Sequence, residues 1–116
     1  MNINDLREIQ INQDKKIGFD VTFTSNEDKY EQITKDLVGL FGEIGEFSNI
    51  VKKINIQLTN NAYNFNIDDA EIHLREEWVD TFIYLLRISA ILGIDIESET
   101  LKKMKFNNTR YENLKR

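Results

Sequence analysis

The longest regular pattern of the chain lies in residues 27–58, which read EDKYEQITKDLVGLFGEIGEFSNIVKKINIQL. Apolar residues recur there every seven positions in two offset registers. Such a repeat, sustained over four heptads, predicts one long helix packed along a bundle seam. Ser25 precedes the run as an N-cap, and acidic residues follow in the first turn. One register contains Tyr30, Leu37, Ile44, Val51 and Leu58, and the other contains Ile33, Leu40, Phe47 and Ile54.

Weaker patterns surround this helix. Residues 2–14 have a modest apolar edge and predict a short first helix. Residues 15–26 alternate apolar and polar positions, but a single strand would have no partner. We therefore expect an extended loop whose aromatic side chains pack on the bundle. The asparagine-rich residues 59–67 predict a second loop.

Two more helices are expected in the C-terminal half. Asp68 and Glu71 have the spacing of a capping box, and the apolar pattern runs from there to about Leu92, before Gly93. Asp95 then caps a fourth helix. These four helices predict an all-α, four-helix-bundle-like fold in a single domain, 1–116. The fourth helix is expected to turn Leu101, Met104 and Tyr111 inward.

The third helix is apolar around most of its circumference, which predicts burial between neighbours or at a subunit interface. A chain of 116 residues buries only about two thirds of its unfolded surface, and small helical proteins often gain stability by oligomerising. We therefore expect a homodimer or a homotetramer. The residues concerned are Val79, Phe82, Ile83, Leu85, Leu86, Ile88 and Leu92.

Composition excludes several classes of function. The chain has no cysteine and one histidine, which removes disulfides and thiolate sites and disfavours zinc. Its formal net charge of −5 is opposite to that of a typical nucleic-acid binder. No apolar run has membrane-spanning length, and the N-terminus lacks a signal-peptide pattern. The sequence therefore predicts a cytoplasmic protein with neither nucleic-acid nor membrane partners.

Acidic residues form two pairs at i, i+3 spacing. Glu43 and Glu46 lie one turn apart on the second helix, and Glu77 and Asp80 lie one turn apart on the third. If these faces meet, four carboxylates converge, and carboxylate oxygens suit hard cations such as Mg²⁺. Solvated helix faces are the alternative interpretation, and a di-iron site would need two Glu-x-x-His motifs. The polar sector of the third helix contains His73, Glu76, Glu77, Asp80, Tyr84 and Arg87.

The sequence resembles the MazG-like family of all-α nucleoside triphosphate pyrophosphohydrolases, to which dimeric dUTPases and dCTP pyrophosphatases are related. The resemblance covers roughly residues 28–112 and depends on three blocks in order. The first is GLFGEIGEF at 39–47, the second is EWVDTFIYLLR at 77–87, and the third is GIDI at 93–96 with the helix that follows. It implies hydrolysis of a (deoxy)nucleoside triphosphate to the monophosphate and pyrophosphate.

The resemblance also implies roles for individual residues. Glu43, Glu46, Glu77 and Asp80 would be catalytic and would bind Mg²⁺, or Mn²⁺ in its place. Tyr84 would contact the base or the sugar. The phosphates would be bound by Lys103, Asn107 and Arg110.

One position departs from the family pattern. Many members carry a glutamate that helps to activate water directly before the first motif glutamate, where this chain has Gly42. A non-catalytic nucleotide-binding module and a purely structural bundle therefore stand as alternatives.

Overall fold

The structure is a computed structural model, which describes residues 1–60 and 62–114. These residues form four α-helices and a short 3-10 turn, and no strand occurs among them. The all-α prediction with four helices is therefore confirmed. The helices are α1 (Ile3–Lys16), α2 (Asn26–Thr59), α3 (Ile67–Ile91) and α4 (Ile96–Arg110), and the 3-10 turn is Glu112–Leu114.

Each helix begins at a polar N-cap, as the sequence indicates. Ser25 accepts a hydrogen bond from the backbone nitrogen of Asp28, and Asp95 caps α4 in the same way. The predicted start of α3 is wrong by two residues, because Asn66 and not Asp68 is the cap. The Asn66 side chain accepts from the nitrogen of Asp69, which leaves Asp68 inside the first turn. The predicted loop at 59–67 shortens accordingly, and its residue 61 lies outside the described residues.

Helices α2 and α3 form an antiparallel hairpin, which is the most extensive helix pair of the described chain. Its register is fixed by three contacts along the seam: Asp36 with Arg87, Gly39 with Tyr84, and Glu43 with Asp80. The apolar register of Ile33 and Leu40 faces this seam and is buried or half-buried. The register of Tyr30 and Leu37 is mostly exposed.

Helix α1 packs across the open end of the hairpin. A small core of Val21, Ile33 and Ile91 forms there, and Phe23 packs against it. The prediction that the loop aromatics pack inward holds for Phe23, but Phe19 is exposed. The positive φ of Gly18 turns the chain out of α1 at this point.

Helix α4 lies apart from the hairpin. It follows Gly93, whose φ of +66° ends α3, and it packs on α1 without comparable contact with α2 or α3. The prediction of an apolar inner face is wrong for the isolated chain, because its members are all exposed. These members are Leu101, Met104 and Tyr111.

None of the described helices is both long enough and apolar enough to cross a membrane.

Candidate functional site

Three carboxylates meet in the middle of the α2–α3 hairpin. One oxygen from each of Glu43, Glu77 and Asp80 lies within 4.8 Å of the other two. The seam register explains the convergence, since Glu43 lies one turn after Gly39 on α2 and Asp80 lies one turn before Tyr84 on α3. Adjacent oxygens around an octahedral Mg²⁺ lie about 2.9 Å apart and opposite ones about 4.2 Å apart, so binding of one ion by all three carboxylates would require them to draw together by up to about 2 Å.

Glu46 extends this group by one helical turn. A hydrogen bond with Glu77 and the negative charge of Glu77 raise the pKa of the Glu46 carboxyl above its ordinary value. Burial and Asp80 add smaller effects in the same direction. All four predicted acidic residues are therefore close enough to interact electrostatically, and we call them the acidic cluster.

Glu77 lies at the centre of the acidic cluster. A hydrogen bond with Glu43 is the largest cause that raises its pKa, followed by burial. Its oxygen Oε2 is buried and has no hydrogen-bond partner. An unpartnered buried carboxylate oxygen is costly, and a bound cation would supply the missing partner.

A cavity of about 680 Å³ adjoins the acidic cluster. Glu43 and Asp80 form one end, and Asp36 and Arg87 form the other. The volume lies within the range of small-molecule sites, roughly 300–1,000 Å³. The exposed residues Ile17 and Phe19 and the half-buried Gln10, Gln32 and Tyr84 complete much of its wall.

Tyr84 reaches the cavity by lying directly against the backbone of α2. A Cβ at position 39 would overlap the Tyr84 ring, so only glycine permits this approach. Gly39 is thus explained by packing against a cavity residue. Gly42 and Gly45 have open space where a side chain would begin, and packing within the chain does not require glycine at either.

Arg87 joins three helices through buried ionic hydrogen bonds. Its Nη1 donates to Asp14 Oδ2 on α1 at 2.6 Å, and its Nε donates to Asp36 Oδ2 on α2 at 3.2 Å. All three side chains are buried, and Arg87 is only 5% exposed. Burial lowers the pKa of Arg87, but its bonds to the two carboxylates outweigh burial and raise the pKa overall.

Arg87 lies on the predicted polar sector of α3, but the sequence pattern of that sector does not predict this network. The available signal was Asp36, an acidic residue within the apolar register between Ile33 and Leu40. Gln10 and Gln32 belong to the same arrangement, since each donates its amide Nε2 to one buried aspartate. One guanidinium nitrogen, Nη2, is buried without a hydrogen-bond partner.

The three predicted phosphate contacts lie elsewhere. Lys103, Asn107 and Arg110 all belong to α4, and none of them lines the cavity or joins the acidic cluster. The Lys103 ammonium lies 4.8 Å from the ring centre of Phe106 on its own helix. The described part of one chain therefore brings together the four acidic residues and Tyr84, and leaves the α4 residues apart.

Comparison with known proteins gives no further identification. No family profile, no curated protein and no solved structure matches this chain.

Proposed function

We propose that this protein hydrolyses (deoxy)nucleoside triphosphates to the monophosphate and pyrophosphate with Mg²⁺ or Mn²⁺, as a MazG-like all-α bundle. The observation that carries the proposal is the convergence of Glu43, Glu77 and Asp80 beside a cavity large enough for a nucleoside. The ordered sequence blocks that resemble the family also support the proposal, and they contain these same three residues.

The chemistry of the acidic cluster fits a hard divalent cation. All of its donors are carboxylate oxygens, which suit Mg²⁺ and Mn²⁺, and Glu77 Oε2 lacks any other partner. When bound, such an ion would neutralise charge on the phosphate oxygens and favour deprotonation of water. Glu43, Glu46, Glu77 and Asp80 are the residues that would hold it.

In the proposed reaction, water attacks the α-phosphorus in line with the bridging oxygen that leads to the β-phosphate. The new phosphorus–oxygen bond forms as the bond to that bridging oxygen breaks, and pyrophosphate leaves. Glu43 or Glu46 orients the water and accepts its proton. Tyr84 contacts the base or sugar in the cavity, and Lys103 stabilises charge on the departing pyrophosphate, with Asn107 and Arg110 on the same phosphates.

The test is a panel of canonical and modified nucleoside triphosphates, incubated with the full chain and Mg²⁺ or Mn²⁺. Chromatography should resolve nucleoside monophosphate and pyrophosphate in equal amounts, and Asp80→Asn should abolish both. Release of the diphosphate with inorganic phosphate would contradict the proposed bond cleavage. Absence of hydrolysis across the panel would contradict catalysis.

A second candidate is a nucleotide-binding module that does not catalyse hydrolysis, and Gly42 favours it because no carboxylate occupies that position. Since the space beside Gly42 is open, Gly42→Glu should fold normally. For a slow enzyme we expect this variant to increase kcat, because general-base help is commonly worth roughly 10²–10⁴ in rate. Gly42→Gln, which has the same shape without the base, should give no gain. Saturable nucleotide binding without turnover in all three proteins would favour the binding module.

A further inference from the structure

We propose that the end of the cavity formed by Asp36 and Arg87 recognises the exocyclic amino group of a nucleobase. The recognising groups are the side-chain amide oxygens of Gln10 and Gln32, and we call this part of the cavity the amide end. The protein would then prefer nucleotides of cytosine, adenine or guanine over those of uracil or thymine. The inference rests on the nucleotide binding of the proposed function and adds a base preference to it.

Two glutamines at the amide end have their side-chain amides held in one orientation. The Nε2 of Gln10 donates to Asp14 Oδ1 at 2.9 Å, and the Nε2 of Gln32 donates to Asp36 Oδ1 at 3.1 Å. Both aspartates are buried and ion-paired with Arg87. An ionised carboxylate only accepts hydrogen bonds, so it must face the nitrogen of each amide and not the oxygen. The oxygen Oε1 of each glutamine therefore points away from the aspartates.

These two amide oxygens are available to a ligand. Within residues 1–60 and 62–114, the side-chain hydrogen bonds of Gln10 and Gln32 use only their amide nitrogens. Both residues are half-buried and line the cavity. A ligand that offers N–H donors at the amide end would supply the missing partners, whereas a ligand that offers a carbonyl oxygen would face two acceptors.

The surroundings of these acceptors suit the flat, apolar face of a base. Ile17 and Phe19 line the same cavity and are exposed, at 68% and 53%. The backbone oxygen of Phe19 accepts a hydrogen bond from Arg87 Nη1 at 3.3 Å, which holds this residue beside the buried network. Small-molecule pockets typically combine apolar walls with a few polar groups that fix orientation, and aromatic side chains stack on bases of every kind. The apolar wall would bind the face of the base, and the amide oxygens would read its edge.

The spacing between the acidic cluster and the amide end matches one nucleotide. Gln32 is bonded to Asp36, which lies seven residues before Glu43 on the same helix. Seven residues of an α-helix rise by roughly 10 Å, which an extended nucleotide spans between the edge of its base and its phosphates. A nucleotide whose phosphates lie at the acidic cluster therefore brings the edge of its base to the glutamines.

The donors on that edge distinguish the common bases. Cytosine, adenine and guanine each carry an amino group with two N–H donors, at N4, N6 and N2 respectively. Uracil and thymine instead present a carbonyl oxygen on either side of a single ring N–H. Two acceptor oxygens from two different helices can both be satisfied by an amino group, and only one of them by a ring N–H.

Binding of nucleotides that cannot be hydrolysed tests the inference separately from catalysis. Calorimetry on the full chain with Mg²⁺ should compare the α,β-methylene analogues of dCTP and dUTP, and those of ATP and inosine triphosphate. We expect the amino-bearing member of each pair to bind about 10- to 100-fold more tightly, because the other member leaves a half-buried acceptor unpaired.

The outcomes separate this inference from the proposed reaction. Equal affinities within both pairs, or tighter binding of the carbonyl-bearing members, would overturn the base preference even if hydrolysis is observed. Failure of all four analogues to bind would overturn it as well. If the preference appears and no triphosphate is hydrolysed, the base preference stands and only catalysis is contradicted.

Asp36→Asn tests the orientation of the amide directly. The asparagine oxygen would face Arg87 and its nitrogen would donate to Gln32, so the Gln32 amide must turn over and present its own nitrogen to the cavity. We expect the ratio of the two pyrimidine affinities to fall by roughly 5-fold or more. A purely structural role of Asp36 would weaken both analogues equally and leave that ratio unchanged.

Asp14→Asn makes the same change at Gln10 and serves if Asp36→Asn does not fold. Lys35→Leu is the matched control, because Lys35 lines the same cavity one turn after Gln32 but holds neither glutamine. It should leave the ratio of the two affinities unchanged. A ratio that stays at the wild-type value in both asparagine variants, or that falls equally in Lys35→Leu, would overturn the assignment of the two glutamines.

Discussion

At the scale of single residues, Glu77 links the stability of the α2–α3 hairpin to the proposed metal site. It interacts with Glu43 and Glu46 across the hairpin, and its Oε2 has no partner. Like charges held close together destabilise the fold when no cation is bound. The acidic cluster is therefore expected to oppose folding by itself and to favour the folded chain once an ion is present.

Glu77→Gln should accordingly raise the melting temperature of the metal-free protein, because the amide removes one charge and can donate a hydrogen bond. It should also remove most of the stabilisation by added Mg²⁺ and reduce turnover by more than roughly 100-fold. Thermal unfolding with and without Mg²⁺ measures the first two effects. Glu76→Gln, at the adjacent exposed position on α3, is the control. It should change neither the melting temperature of the metal-free protein nor its stabilisation by Mg²⁺. Equal melting curves for the two variants would show that Glu77 is an ordinary surface acid.

Gly39 permits a second prediction at this scale. Gly39→Ala would place a methyl group in the Tyr84 ring, so either the ring or the helix must move. We expect a loss of about 1–3 kcal/mol in the free energy of unfolding and a higher KM with a smaller change in kcat. Gly45→Ala, at a position with open space, should instead gain about 0.5–1 kcal/mol in the helix itself. A KM that is unchanged in Gly39→Ala and also in Tyr84→Ala would exclude Tyr84 as a substrate contact.

At the scale of elements, one buried arginine connects α1, α2 and α3. Arg87→Leu would leave Asp14 and Asp36 buried without their counter-charge, and breaking such a network commonly costs about 3–5 kcal/mol. Changing both aspartates to asparagine in that background should recover most of the loss, since the unpaired charges are then gone. Chemical denaturation measures both steps. Arg75→Leu, exposed on the same helix, should stay within about 0.5 kcal/mol of wild type. Equal losses in Arg75→Leu and Arg87→Leu would contradict the role of the network.

The elements themselves could be predicted from sequence because their signals are local. Caps such as Ser25 and Asp95 and the seven-residue apolar repeat depend on residues a few positions apart. The start of α3 was misplaced because Asn66 and Asp68 are both good caps, and local pattern cannot choose between them. The two acidic pairs were also recognisable, since i, i+3 spacing puts each pair on one helix face.

What the sequence could not supply is the register between helices. The partnership of Asp36 with Arg87 spans 51 positions and follows from how the hairpin closes. The contact of Gly39 with Tyr84 has the same origin. Helix α4 was expected to turn Leu101, Met104 and Tyr111 inward, yet all three are exposed in one chain. An amphipathic pattern predicts that a face will be covered but does not identify what covers it.

At the scale of the whole molecule, the two parts of the proposed site lie apart, because the predicted phosphate contacts belong to α4 and the acidic cluster belongs to the α2–α3 hairpin. Lys103 would have to approach phosphates near the acidic cluster, but α4 packs on α1 and lines neither the cluster nor the cavity of its own chain. If the homodimer or homotetramer expected from the sequence forms, α4 of another subunit is a second candidate for this contact. The expectation is therefore that each site combines the acidic cluster of one subunit with Lys103 of its partner.

Mixing two inactive variants tests this expectation. Glu77→Gln lacks an acidic ligand and Lys103→Ala lacks the cation, so each homodimer should be inactive. After subunit exchange, a mixed dimer would hold one site with both residues intact, and random pairing would restore about a quarter of wild-type activity. A mixture of Glu77→Gln with Asp80→Asn is the control and should stay inactive, because both changes affect the same cluster. If the first mixture also stays inactive while native mass spectrometry with one isotopically labelled variant shows exchange, Lys103 does not act across the interface. The cationic contact to the phosphates would then have to come from the same subunit, which requires α4 to move toward the hairpin when the nucleotide binds.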